Sequence, residues 1–76
     1  MKSIIDILKN IRPEFEFEGV DDFFVRGVLD SYDLIMLVSG LEEHFGIVID
    51  GADIVPENFR SIEAILLLLA RCGAKL

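Results

Sequence analysis

The stretch from Asp30 to Gly46, "DSYDLIMLVSGLEEHFG", restricts this chain more than any other. Leu34, Leu37, Val38, Leu41 and Phe45 recur at steps of three and four, the spacing that gathers apolar side chains on one face of a helix. Asp30 or Ser31 starts this helix, because short polar side chains satisfy the unpaired amides of a first turn. Gly46 ends it, since glycine enters the left-handed conformation of a C-cap without steric cost. A helix with one apolar face must be covered by other elements, and the rest of the 76 residues has to supply them.

The same periodicity identifies those elements. Ile4, Ile5, Ile7, Leu8 and Ile11 mark a first helix over roughly 3–12, with Ser3 as N-cap and Pro13 preventing continuation past Arg12. After Ser61, a last helix runs from Ile62 to about Cys72. It is apolar nearly all round, as suits a helix packed on several sides, with a leucine such as Leu67 or Leu68 left exposed for a partner. Between the long helix and this last one, "IVID" reads as an extended connection into a short helix around Asp53 to Asn58, with Pro56 in its first turn. The segment "PEFEFEGVDDFFVRGV" alternates at Phe15 and Phe17, but no second strand exists to pair with it. A long loop anchored by phenylalanines is expected there, with Phe23 and Phe24 on a helical turn that plugs the core. The expected fold is all-α: residues 1–76 as a single domain, a small bundle of three main helices plus a short one.

Composition narrows the function. The longest apolar run, Ala64 to Ala70, is far short of the roughly 20 residues that cross a bilayer. The opening "MKSIIDILKN" has too brief an apolar region for a secretory signal, so a cytoplasmic location is expected. A lone cysteine, Cys72, excludes an internal disulfide and a cysteine-based metal site. His44 has no second histidine to form a metal site with, and reads as a favourable charge near a helix C-terminus. Seven basic residues against fourteen acidic ones give a net charge of −7, which repels phosphate backbones and favours basic protein partners. No nucleophile and base stand together as an enzyme needs, and the twelve-residue calcium loop is absent. A small domain that binds basic protein partners remains, and it is expected to be a monomer.

Ser31 is the residue on which these possibilities divide. With Asp30 as N-cap, its carboxylate accepts from the amide of Tyr32 or Asp33, and Asp33 reaches back. Ser31 then stands at the first helical position with its hydroxyl turned to water, where the helix dipole favours an attached phosphate. With Ser31 as the cap, the serine has a structural task only. The residues by themselves leave both arrangements open.

Beyond the serine, "GVLDSYDLIMLVSGLEEHFGIVI" resembles the signature of the acyl and peptidyl carrier families, in which Asp-Ser, an apolar residue and an acid open the second helix. Gly27, Leu29, Asp30, Ser31, Asp33, Leu37, Leu41, Glu42, Glu43, Phe45 and Gly46 carry the resemblance. "PENFRSIEAI" is similar to the segment leading into the family's last helix, so the likeness extends from about Phe23 to Leu69. It implies an acyl-carrier-like bundle in which Ser31 accepts 4'-phosphopantetheine from coenzyme A through a separate phosphopantetheinyl transferase. The terminal thiol of that arm then carries acyl or aminoacyl intermediates as thioesters between enzymes of a lipid, polyketide or related biosynthetic pathway, and the chain itself performs no catalysis.

The resemblance also implies that Asp30 and Tyr32 adjoin the arm, while by its residue type Tyr32 is expected to be a half-buried packing residue. The likeness implies an acidic partner face formed by Asp33, Glu42, Glu43, Asp53 and Glu57, met by lysines and arginines on acyl-loading and acyl-processing enzymes, to which Met36 is expected to add an adaptable contact. Two positions depart from the fatty-acid carriers: Met36 stands where many have an acid, and Ser39 where an apolar docking residue is common. Met36 is expected to share an outward stripe with Asp33, Gly40 and Glu43, pointing to a specialised carrier with its own partner set. The alternative function is an unmodified acidic helical module for protein–protein interaction.

Overall fold

Residues 2–75 are described by a computed structural model. The first helix, α1 (Lys2–Ile11), buries Ile4 and Leu8 completely, and the Arg12 amide makes one last helical bond to the Leu8 carbonyl before Pro13. Ser3, expected as its cap, lies inside the helix; the cap position itself falls outside the described residues. The long helix, α2 (Ser31–Phe45), turns Leu34, Leu37, Val38 and Leu41 inward and ends at Gly46, whose φ of 65° is the left-handed cap that only glycine takes without strain. At Gly40 α2 lies close against α1: a Cβ there would stand 2.9 Å from Cγ2 of Ile7.

The chain then runs without regular secondary structure through residues 47–50 into a 3-10 turn (Gly51–Asp53), followed by α3 (Pro56–Phe59) and α4 (Ile62–Arg71). The single short helix expected over 53–58 is therefore two pieces. Val55 precedes a proline, whose ring excludes the helical conformation from the residue before it, and Val55 is accordingly extended (φ −132°, ψ 150°) between them. Ser61 caps α4, its hydroxyl accepting from the Ala64 amide at 3.1 Å. Of the two leucines considered for exposure, Leu67 faces solvent while Leu68 is fully buried.

The long connection between α1 and α2 belongs to the core. Phe17 and Phe23 are buried and meet edge to face, with ring centroids 5.4 Å apart. The Asp22 carboxylate accepts from the amides of Phe24 and Val25 and shapes the turn that drives Phe23 inward. Phe23 then donates its amide to the Arg60 carbonyl at 2.7 Å, while its own carbonyl accepts from Val28 and Leu29. These bonds tie the connection to the α3–α4 corner and deliver Leu29, itself buried, to the start of α2. One continuous apolar cluster takes side chains from α1, this connection, α2, Ile49, Phe59 and α4. Among the described residues there is no strand, and no helix is long and apolar enough to cross a membrane.

Candidate functional site

Asp30 occupies the N-cap of α2 in an extended conformation (φ −122°, ψ −174°). Its Oδ1 accepts from the Asp33 amide at 2.9 Å, and Oδ2 of Asp33 accepts from the Asp30 amide at 3.1 Å. This reciprocal pair is a capping box closed by an aspartate where glutamate or glutamine is usual. Asp30 therefore takes the cap and Ser31 is the first residue of α2, with its side chain exposed. Of the two arrangements the residues left open, the structure adopts the one that frees the serine hydroxyl from capping.

Arg12 braces the box from the end of α1. Its Nε donates to Oδ2 of Asp33 at 2.9 Å, its Nη2 lies 3.5 Å from Oδ2 of Asp30, and its Nη1 lies 3.8 Å from Oε2 of Glu14. Asp33 is only 3% exposed, so this contact supplies the counter-charge that a buried carboxylate requires. The bond from the Asp33 amide holds the Asp30 carboxyl below the ordinary aspartate range; partial burial opposes that shift and the Arg12 charge assists it. Arg12 is in turn held more firmly charged, first by its hydrogen bond to Asp33 and then by the charge of that residue.

Asp33 must accordingly be removed from the exposed partner face on which it was expected. It points inward because α2 places it one turn before Leu37, on the side covered by α1, where Arg12 meets it. Gly40, also expected to face outward, is half-buried against Ile7 for the same reason. The outward stripe of α2 consists instead of Tyr32, Ile35, Met36, Ser39 and Glu43. Tyr32, expected to be half-buried, is 70% exposed; Ile35 is 64% exposed and Met36 43%.

Comparison with protein-family profiles, curated sequences and solved structures gives no match.

The remaining residues of the expected partner face are distributed unevenly. Glu42 is half-buried and its Oε2 accepts from the Ile49 amide at 2.9 Å, so it fastens the connection after α2. Glu43 is exposed. Asp53 is half-buried in the 3-10 turn, where its main-chain carbonyl accepts from Nδ2 of Asn58, and Glu57 is exposed on α3. A shallow recess lined by Glu18, Gly19, Ile62 and Glu63 is built from the connection and α4, with no residue of α2.

Two residues of the site were missed from sequence. Ile35 could have been found: 32, 35, 36, 39 and 43 are the helical complement of 34, 37, 38 and 41. Arg12 had no such signal, because nothing local says which cation serves an acid 21 positions away.

Proposed function

We propose that this chain is a carrier protein whose Ser31 accepts 4'-phosphopantetheine. The observation that carries the reading is the division of labour at the start of α2: Asp30 caps the helix, and the adjoining hydroxyl is exposed at its first position. In the proposed step, the Ser31 oxygen bonds to the phosphorus that bears the pantetheine group of coenzyme A. The pyrophosphate P–O bond breaks, adenosine 3',5'-bisphosphate leaves, and the hydroxyl proton passes to a base of the transferase. The anionic phosphodiester then sits where the helix dipole favours it. A flexible arm of this kind raises the effective concentration of its thioester cargo at each enzyme that docks the chain.

The outward stripe suggests which enzymes those are. Beyond the capping Asp30, itself exposed, it presents Tyr32, Ile35 and Met36 and no exposed acid before Glu43, so the surface that follows the serine along α2 is apolar in character. Methionine adapts its shape to a partner better than a rigid side chain does. We take this as support for a specialised carrier rather than a general fatty-acid carrier. Efficient loading and elongation of cargo on this chain by generic fatty-acid synthesis enzymes contradicts that part of the proposal.

Incubation with coenzyme A and a broad-specificity phosphopantetheinyl transferase, followed by intact-protein mass spectrometry, tests the main claim. A phosphopantetheine adduct that is lost in Ser31→Ala is the expected outcome. A protein that stays unmodified belongs with the unmodified acidic interaction module instead.

A further inference from the structure

We infer that Arg12 is a positioning residue for the acceptor serine, an inference that rests on the carrier reading of Ser31. Arg12 stands just past the end of α1, and its guanidinium reaches the start of α2 across the nineteen-residue connection of residues 12–30. One edge of the fork holds Asp33 through Nε at 2.9 Å, and the same planar group faces Asp30 through Nη2 at 3.5 Å. Both carboxylates of the capping box that encloses Ser31 are thus referred to a single rigid cation anchored beyond the end of α1.

The consequence is geometric. Ser31 lies inside the four-residue box formed by Asp30 and Asp33, so the direction of its hydroxyl follows from that box being closed. Asp33 is buried, and among the described residues its carboxylate without Arg12 keeps only the Asp30 amide as a hydrogen-bond donor. A buried anion in that state moves toward water, which opens the box and lets the first turn of α2 fray. Lysine does not replace arginine here, since a point charge cannot hold Nε and Nη2 contacts in one plane.

Charge alone predicts the opposite effect of removing Arg12. Arg12→Gln makes an acidic chain more acidic and strengthens its attraction to a basic transferase. A slower reaction therefore cannot come from weaker electrostatic docking. A general loss of stability is separated by Ile65→Val, which removes a methyl group from the core on α4 and leaves the box intact.

The test measures the rate of phosphopantetheine transfer to the wild-type chain, Arg12→Gln, Arg12→Lys and Ile65→Val under conditions where each is folded, together with amide exchange at Asp33 and Leu34. The expected result is a rate about tenfold lower for Arg12→Gln, an intermediate value for Arg12→Lys and an unchanged one for Ile65→Val, in line with the cost of misplacing a reacting atom by a fraction of an ångström. The KM for coenzyme A is unchanged, and exchange at Asp33 and Leu34 accelerates in the Arg12 variants while α4 stays protected. If Arg12→Gln does not fold, Arg12→Lys decides by the same criteria. An unchanged rate in the Arg12 variants overturns the inference and leaves the carrier reading standing, as does a slowed rate without faster exchange at Asp33 and Leu34. A wild-type chain that takes no adduct overturns the carrier reading and this inference with it.

Discussion

At Asp30 one carboxylate both caps a helix and faces a guanidinium, and its pH response follows from that position. Its pKa in the folded chain is depressed, chiefly by the Asp33 amide. The stability it contributes is present above the ordinary aspartate pKa and is lost as pH falls through the lowered folded value. Urea midpoints should therefore decline on acidification below the ordinary carboxylate range. In Asp30→Asn, which still caps but does not titrate, that decline should be shallower; an acid limb identical in the two proteins contradicts the assignment. Residues of this site differ in how far sequence revealed them. The start of the helix was legible because Asp-Ser before an apolar repeat is a local signal, but which of the two residues caps it was left open; with Asp30 as the cap, the residue that reaches back was recognised as Asp33. Its burial was not legible, because that depends on α1 lying across this side of α2 and on Arg12 arriving with it.

Among the elements, α2 and α4 were read nearly to the residue, since each has apolar periodicity and a cap at its start. The short helix was misjudged because two turns separated by only two residues, Ile54 and the extended Val55, have the same composition as one helix. Capping at Ser61 gives an element-scale prediction: Ser61→Ala should destabilise the fold by about 1 kcal/mol in urea denaturation, and a loss near zero contradicts the 3.1 Å bond to the Ala64 amide. Gly40 gives a second, in which two effects compete. Glycine to alanine inside a helix ordinarily gains about 1 kcal/mol. Here the new Cβ would stand 2.9 Å from Ile7 Cγ2, closer than carbon atoms pack, and that atom is held near its own backbone. Gly40→Ala should therefore fail to stabilise the protein, whereas the same change in an Ile7→Ala background should recover the gain. Full stabilisation by Gly40→Ala alone means that α1 and α2 do not approach as described.

For the whole molecule, the connection between α1 and α2 matters as much as a helix. Small domains leave a large share of their surface exposed, so every buried aromatic counts. Phe23 is completely buried, stacks edge to face on Phe17 and has main-chain bonds to both the α3–α4 corner and the start of α2. Phe23→Ala should cost about 3–5 kcal/mol, enough to unfold much of a marginally stable chain at 25 °C. A variant that keeps its thermal midpoint shows instead that the connection is a dispensable loop. The sequence indicated that phenylalanines anchor this segment, but which of them reach the core depends on the path of the chain: Phe17 and Phe23 are buried, Phe15 and Phe24 only partly. All of this structure holds one hydroxyl in water at the head of α2, and the central claim is that the hydroxyl is there to be esterified. The most direct check is a peptide mass map of the protein isolated from its own cells, read at the peptide containing Ser31. The account predicts phosphopantetheine on that serine, with any cargo as a base-labile thioester, and a Ser31 peptide that is unmodified throughout growth contradicts it.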